Sequence, residues 1–324
     1  MGCLEAAHAQ PPARKARMRS DSEITADHWS KNVASSDAFS PQVYWLAVPA
    51  VQQRFQRLAC GGTDHRWWVQ YCLGEFLNRS ISPIRMLSIG CGSGTLERDL
   101  FRLNAFSECD AIDIAPGAID IARKEANLIG ASNIKYHVQD VQKTPLEKNA
   151  YDAVWFNGSL HHIKELESVC ESVRNALKPG GWVFYNEYVG ANHFAFPERQ
   201  REVVESAFRL LPPEYRRSFQ LEHFGKVQFN VQLPEPAEVI KVDPSEAIRS
   251  QDIRRVLSDY FVEHAFNPCG GNILQFALHG IAGNFVETDP RSMALLQMLF
   301  DIEDTLLNNR FFETDFAVGV ARVP

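Results

Sequence analysis

The chain has 324 residues, 45% of them hydrophobic, and a formal net charge of −7 from 33 basic and 40 acidic side chains. This length suits one large domain or two small ones, and the apolar content excludes a disordered chain. The acidic balance gives no general attraction to nucleic acid, so we expect a small-molecule partner and no nucleic-acid partner.

The seven cysteines are an odd number and form no C-x-x-C pair. This pattern indicates a reducing compartment without disulfides or a structural zinc site. The sequence also holds no apolar run long enough to span a membrane and no apolar core of a signal peptide near residue 1. We therefore expect a cytoplasmic protein without a membrane span.

The first eighty residues divide into two parts. Residues 1–40 combine a small basic cluster with little apolar periodicity, which predicts a flexible tail. Residues 41–80 carry apolar and aromatic side chains at helical spacing and predict a helical cap, broken at Gly61 and Gly62. Packing of these helices against the core is favoured over a lid on a pocket.

Five strand-like segments alternate with helix-like segments between residues 81 and 190. This alternation predicts a doubly wound α/β core with a mostly parallel sheet, covered by helices on both faces. The expected strands are 84–89, 109–115, 134–140, 151–158 and 181–189, and the expected helices are 95–104, 119–129 and 166–177.

The last third of the chain begins with a change of pattern. Residues 191–250 contain a helical stretch at 198–211 and several prolines, and we interpret them as an insertion that forms a substrate-side lid. Asp243 or Ser245 is expected to cap the helix that follows. Residues 251–324 should complete the sheet, with strands at 260–266 and 316–323 and a helix at 291–308.

A glycine-rich turn follows the first expected strand. Gly90, Gly92 and Gly94 permit positive φ angles and close backbone approach, and a helix begins directly after them. Strand, glycine turn and helix N-terminus together expose backbone N–H groups to a ligand. A tight turn without a ligand is the alternative interpretation of these glycines alone.

Two acidic residues follow neighbouring strands. Asp113 lies 19 residues beyond Gly94 at the end of the second strand, and Asp140 ends the third. Because the carboxyl ends of parallel strands face one crevice, the glycine turn and both acids should converge there. A carboxylate at the position of Asp113 can accept hydrogen bonds from both hydroxyls of a ribose.

Residues 84–190 resemble the class I S-adenosylmethionine-dependent methyltransferases. The similar segments are "MLSIGCGSG", "AIDIAPGAIDIARKEA", "VQD", "YDAVWFNGSLHHI" and "LKPGGWVFYNE". The resemblance implies a Rossmann-like sheet of seven strands, with an antiparallel strand near the C-terminus, and S-adenosylmethionine as cofactor. It implies that the glycine loop faces the methionine part, Asp113 the ribose, and Asp140 with Val141 the adenine. The implied cofactor-binding residues are Gly90, Cys91, Gly92, Gly94, Asp113, Ile114, Asp140, Val141 and Asn157.

Methyl transfer to a protonated nucleophile requires a base near the strand ends. Candidates are His161 and His162 after the fourth strand, and Glu187, Tyr188 and His193 after the fifth. We assign His161 and Glu187 as catalytic, with a structural role as the alternative for each. His162 is expected to cap or pack against the next helix. No spacing of histidines and carboxylates suits a metal, so no metal site is expected.

The expected activity is methyl transfer to a hydroxyl of a small-molecule or glycan acceptor, as in a bacterial subgroup of the class with similar flanking segments. Methylation of nitrogen or carbon on a metabolite or RNA, and cofactor binding without catalysis, remain open. The segment "NGSL" after the fourth strand differs from the Asn/Asp-Pro-Pro-aromatic box of amino-methylating relatives. A nicotinamide dehydrogenase is disfavoured because Thr95 replaces the third glycine of G-x-G-x-x-G. The sequence sets no oligomeric state.

Overall fold

The centre of the molecule is a seven-stranded sheet, seen in a computed structural model that describes residues 19–32, 40–62, 66–77 and 83–324. The strand order is β3-β2-β1-β4-β5-β7-β6. Strands β1 to β5 are parallel, whereas β7 runs antiparallel to both β5 and β6. The predicted α/β fold with a C-terminal antiparallel strand is confirmed. The strands are β1 (Arg85–Ile89), β2 (Glu108–Asp113), β3 (Ile134–Val138), β4 (Tyr151–Asn157), β5 (Leu177–Tyr188), β6 (Val262–Gly270) and β7 (Phe316–Arg322).

Helices cover both faces of the sheet, so its central strands are buried on both sides. Trp155 and Phe156 on β4 are each at most 1% exposed, and they belong to two separate apolar cores on opposite faces. The helices are α1 (Asp21–Asn32), α2 (Pro49–Ala59), α3 (Trp68–Glu75), α4 (Thr95–Arg102), α5 (Pro116–Leu128), α6 (Leu166–Ala176), α7 (Glu198–Arg209), α8 (Pro236–Val242), α9 (Ile253–Tyr260), α10 (Leu274–Ala277) and α11 (Pro290–Asn308).

The expectation of a flexible tail over residues 1–40 is wrong for Asp21–Asn32, which form α1. The helix begins with a reciprocal capping box. Ser20 Oγ accepts a hydrogen bond from the Glu23 backbone N–H, and Glu23 Oε2 accepts one from the Ser20 N–H. Helix α1 then packs beside α5, where Ser30 Oγ accepts from the Gly117 N–H at 3.1 Å. Residues 1–18 and 33–39 of the expected tail lie outside the described residues.

Helices α2 and α3 occupy the segment expected to form a helical cap. Helix α2 packs against β6, and the Trp68 ring of α3 lies 5.6 Å from the Trp155 ring of β4. Both helices contribute buried side chains to one of the two apolar cores. Their described side chains therefore serve the core of the domain.

The segment between β5 and β6 contains α7, α8 and α9 joined by turns. The expected cap at Asp243 or Ser245 is wrong, because the residues after Ser245 form turns and α9 begins only at Ile253. Asp243 Oδ1 instead accepts hydrogen bonds from the N–H and the hydroxyl of Ser245. No helix in the described ranges is both long and apolar enough to cross a membrane.

Candidate active site

A cavity of about 670 Å³ opens at the carboxyl ends of β1 to β4. This volume lies in the range of pockets that enclose a small-molecule ligand or cofactor. The cavity wall contains all of the predicted cofactor residues except Gly94, namely Gly90, Cys91, Gly92, Asp113, Ile114, Asp140, Val141 and Asn157. The structure therefore brings together residues that the sequence separates by as many as 67 positions, from Gly90 to Asn157.

The three glycines of the loop have different roles. A Cβ on Gly90 would lie 2.4 Å from Ser159 Cβ, and one on Gly94 would lie 2.5 Å from the Tyr136 hydroxyl. Gly92, at φ +52°, has no atom within 4 Å of such a Cβ and faces the cavity. Gly94 thus permits close packing against Tyr136, and its expected cofactor contact stays a prediction, whereas Gly92 leaves room for a ligand.

Asp113 anchors the glycine loop. Its Oδ2 accepts a hydrogen bond from the Gly92 N–H and its Oδ1 accepts one from the Ala115 N–H, both at 2.8 Å. Burial raises the pKa of Asp113, and the N–H donors of Ala115 and Gly92 oppose that rise. Each carboxylate oxygen retains a free lone pair on the cavity wall, which suits hydroxyl donors such as those of a ribose.

Glu97, in the first turn of α4, provides a second acidic group beside the loop. It is fully buried, and neither carboxylate oxygen has a well-formed hydrogen bond among the described residues. Burial raises the pKa of Glu97 to about 7, and the polar Ser88 side chain nearby opposes the rise. S-adenosylmethionine carries a sulfonium and an ammonium group at its methionine end. A buried acid beside the glycine loop suits that cofactor, because the resemblance implies that this loop faces the methionine end.

Helix α1 forms a side of the cavity that the sequence interpretation missed. Thr25 and Trp29 lie on the wall, and the Lys143 ammonium joins the Asp140 carboxylate at 2.8 Å to the Ser22 hydroxyl at 3.1 Å. The S-x-x-E pattern at residues 20–23 was the available signal for this helix. Asp140, which is predicted to lie beside the adenine, is thus linked through Lys143 to helix α1.

Glu187 and His161 form a buried pair at the ends of β5 and β4. Glu187 Oε2 lies 2.8 Å from His161 Nδ1, and Glu187 Oε1 accepts hydrogen bonds from the Ser159 and Leu160 N–H groups. Glu187 is 1% exposed, and three donors occupy its carboxylate. The expectation that Glu187 acts directly on the substrate is therefore corrected: it is a positioning residue that holds the His161 ring.

The pair sets the protonation of His161. A carboxylate that already accepts two backbone hydrogen bonds acts as an acceptor, so His161 Nδ1 carries the proton between them and Nε2 holds a free lone pair. Burial lowers the pKa of His161, but the hydrogen bond and charge of Glu187, with a smaller contribution from Glu246, outweigh it, and the pKa is raised overall. His161 is thus the more basic of the two adjacent histidines.

His162 lies on the cavity wall, with its ring 5.4 Å from the Trp29 ring of α1, and its expected packing against the next helix stays a prediction. Its Nδ1 lies 3.0 Å from Ser245 Oγ, which donates a hydrogen bond to Asp243. Asp243 also accepts hydrogen bonds from the Thr25 hydroxyl and the Trp29 indole of α1. Burial, together with the adjacent His161, holds the pKa of His162 well below its usual range.

Glu246 faces both histidines and has no counterpart among the predicted site residues. Its Oε1 lies 3.7 Å from His161 Nε2, and its Oε2 lies 3.8 Å from His162 Nε2. The other two candidates have structural contacts: the Tyr188 hydroxyl donates to the Ala191 carbonyl, and His193 Nδ1 donates to the Glu246 carbonyl. No sequence signal links Glu246 to the histidines, because the three residues meet only through folding.

The model of one protein family, described as a methyltransferase domain, matches residues 87–185 of the chain. The chain is also similar to bacterial proteins named ubiquinone biosynthesis O-methyltransferase. It is 30% identical to that of Albidiferax ferrireducens over 43% of this chain and 58% of that protein. It is 28% identical to that of Paraburkholderia xenovorans over 67% of this chain and 90% of that protein. The chain thus spans less than two thirds of the Albidiferax protein.

Solved structures share the fold. Geranyl diphosphate C-methyltransferase from Streptomyces coelicolor A3(2) has a TM-score of 0.52 at 12% identity, with 95% of this chain and 100% of that chain covered. Phosphoethanolamine N-methyltransferase 2 from Haemonchus contortus has a TM-score of 0.51 at 15% identity, with 95% and 61% covered. The matched domain, the strand order and the cavity at the glycine loop together identify residues 87–185 as a class I S-adenosylmethionine-dependent methyltransferase domain.

Proposed function

We propose that this protein transfers a methyl group from S-adenosylmethionine to a hydroxyl oxygen of a small-molecule acceptor, with His161 as the group that accepts the hydroxyl proton. The observation that carries the proposal is the His161–Glu187 pair beside the cofactor cavity. His161 Cε1 lies 4.0 Å from the position of a Cβ on Gly158, and Gly158 is part of the cavity wall. The cavity wall includes Gly158 and His162 but not His161, so the proposed base adjoins the wall at Gly158.

The curated relatives support oxygen as the acceptor atom. Both bacterial proteins described above are named O-methyltransferases, and their names refer to the biosynthesis of a small molecule. The same proposal also covers a glycan as the molecule that supplies the acceptor hydroxyl. A cytoplasmic location stays a prediction from the cysteine pattern.

The residues of the chain have distinct tasks in this reaction. When bound, S-adenosylmethionine supplies a methyl group made electrophilic by the sulfonium. Gly92 leaves space for it, Asp113 binds hydroxyl donors, and Glu97 faces the positive end. His161 Nε2 would accept the proton of the acceptor hydroxyl. Glu187 keeps Nδ1 protonated and holds the ring.

Elements over the strand ends form one side of the cavity. Helix α1 and residues Pro244, Ser245 and Ile248 line the cavity opposite the glycine loop. Asp243 joins these two segments through its bonds to Thr25 and Trp29.

The test uses S-adenosylmethionine with a carbon-13 methyl group, the purified protein and a small-molecule extract of the source organism. We expect a labelled product among the small molecules whose methyl resonance is that of a methyl ether or ester. A labelled N-methyl or C-methyl product, or labelled macromolecules alone, would contradict the proposed acceptor. If the protein binds the cofactor but labels nothing in the extract, a binding role without catalysis replaces the proposal.

A further inference from the structure

The Nε2 atoms of the adjacent His161 and His162 both lie near the Glu246 carboxylate. His161 Nδ1 donates to the Glu187 carboxylate, and His162 Nδ1 donates to Ser245 Oγ, whose own proton goes to Asp243. Both rings therefore keep Nε2 as an unprotonated nitrogen with a free lone pair. The ring centroids are 4.2 Å apart, and one nitrogen of each ring lies within 4.8 Å of the other.

Glu246 adds a third electron-rich group at this point. Its oxygens lie 3.7 and 3.8 Å from the two Nε2 atoms, which is too long for a hydrogen bond. In the part of the chain that the structure describes, its carboxylate has no hydrogen-bond donor and no Lys or Arg within ion-pair distance. One donor atom from each of the three residues lies within 4.8 Å of the others. Three acceptors thus converge without a cation between them.

We propose that His161, His162 and Glu246 bind one divalent transition-metal ion, best Zn²⁺, through two Nε2 atoms and one carboxylate oxygen. Two imidazoles and a carboxylate are a set that zinc accepts, with a further position left for water or another ligand. Bonds of about 2.0–2.2 Å place neighbouring tetrahedral ligands about 3.4 Å apart. The spacing of 3.7 Å between Glu246 Oε1 and His161 Nε2 therefore needs to close by about 0.3 Å, and the other ligand pairs, which lie within 4.8 Å of one another, by at most about 1.4 Å, through rotation of the three side chains.

The surroundings of the two histidines resemble those of metal ligands. A metal-binding imidazole usually donates its second N–H to a carboxylate or another oxygen, and this contact orients the ring. Glu187 fills this role for His161, and Ser245, backed by Asp243, fills it for His162. The side chains of Glu187 and Asp243 are at most 4% exposed, so both support contacts are protected from water.

The metal site goes beyond the proposed function, since its ligands are present whatever the methyl acceptor is. It also has a consequence for that function. A metal ion and a proton compete for the same lone pair of His161 Nε2, so a bound ion removes the proposed base. We therefore expect turnover to persist after treatment with a chelator and to fall when Zn²⁺ fills the site.

The experiment is a zinc titration of the full-length, untagged protein after removal of metals, against a chromophoric chelator and without cofactor or acceptor. We expect one ion per chain at this site, and an affinity at least about 100-fold lower in Glu246→Gln and in His162→Ala. Ser245→Ala, which removes only a supporting contact, should lower the affinity by about 10- to 100-fold. The exposed residues Glu222 and His223 provide matched controls: Glu222→Gln and His223→Ala should bind like the wild type.

Thermal melts of each variant separate loss of metal from loss of fold. If His162→Ala does not fold, Glu246→Gln alone decides, because it keeps the size of the side chain. Equal zinc affinity in the wild type and Glu246→Gln overturns the proposal, as does binding that depends instead on the Cys91 thiol and disappears in Cys91→Ser. Because the titration contains no cofactor, its failure leaves the proposed methyl transfer untouched, and a failed transfer assay leaves the metal site untouched.

Discussion

The two ends of the cavity are built in different ways. At the cofactor end, Asp113 lies at a strand end and bonds to the backbone N–H groups of Gly92 and Ala115. At the histidine end, most of the polar contacts join side chains from distant segments. Thr25, His162 and Asp243 are an example, since 218 positions separate Thr25 from Asp243.

This difference has consequences for substitution. A side chain bonded to the backbone can be replaced with local loss, because its partners keep their positions. A side chain in a network leaves other side chains without partners, and their positions change as well. We therefore expect separable defects at the cofactor end and coupled defects at the histidine end.

The largest effect is expected for His161→Ala. If His161 accepts the hydroxyl proton, turnover should fall by about 10² to 10⁴ while the dissociation constant for S-adenosylmethionine stays nearly unchanged. Added imidazole should restore part of the rate, which a packing role does not predict. His264→Ala is the matched control, since His264 is exposed on β6. A normal rate in His161→Ala would return His161 to a structural role.

Asp113→Ala tests the cofactor end. Loss of hydrogen bonds to a charged acceptor costs about 1.5–3 kcal/mol each, so affinity for S-adenosylmethionine should fall by about tenfold to several hundredfold. Calorimetric titration measures this change, with exposed Asp120→Ala on α5 as the control. Unchanged affinity would remove Asp113 from the cofactor site. A large loss of folding stability in Asp113→Ala would show that cofactor binding and stability are coupled at this end as well.

Asp243→Ala tests the coupling at the histidine end. It removes the acceptor for the Thr25 hydroxyl, the Trp29 indole and the Ser245 hydroxyl. Leaving buried donors without a partner should lower the free energy of unfolding by about 1–3 kcal/mol, and cofactor affinity should also fall as α1 loosens. Denaturant unfolding and calorimetry measure the two effects, against Asp259→Ala on α9. A fall in only one of the two quantities, the free energy of unfolding or the cofactor affinity, would contradict a coupled network.

The pH dependence of stability at Asp315 provides a reference away from both ends. Burial, with the negative charge of Glu303, raises the pKa of Asp315 from its usual value of 3.8 to about 8, against the hydrogen bonds of Gln275 and Gln200. Between these pH values the folded state binds more protons than the unfolded state. The contribution of Asp315 to stability therefore falls as pH rises from about 4 to about 8.

In Asp315→Asn this pH-dependent loss of stability should be absent. The difference in free energy of unfolding between variant and wild type should thus shift in favour of the variant as the pH rises, and level off above about pH 8. Denaturant unfolding across the pH range measures it. Parallel curves for the two proteins would show that Asp315 is ionised in the folded state throughout.

The smallest effect is expected for removal of residues 1–18. These residues are rich in polar and small side chains without apolar periodicity, so their loss should leave the melting temperature and cofactor affinity unchanged. Removal of residues 1–32 deletes α1 and part of the cavity wall, and should weaken cofactor binding. Equal affinity in both truncations would exclude α1 from the cofactor site.

Much of the fold follows from local sequence patterns. The buried runs of β1 and β4, the glycines after β1 and the helical periodicity of α11 each lie within a short window, and each predicted the observed element. Helix α1 was missed because its apolar residues are few, although its S-x-x-E cap was visible. The cap assigned to Asp243 or Ser245 was wrong because Asp243 accepts a hydrogen bond from Thr25 of α1 and does not cap a helix that follows it in the chain.

The sequence by itself determined the parallel core, the crevice at its strand ends and the residues of the glycine loop, because each depends on neighbours within one strand–turn–helix unit. Only the tertiary structure decided which glycine leaves room for a ligand, since that depends on Ser159 and Tyr136 packing against the others. It also decided that Glu187 is enclosed by donors and that Glu246 faces both histidines. Such contacts join segments whose separation along the chain carries no periodic signal, so they arise only when the sheet and the segments above it assemble.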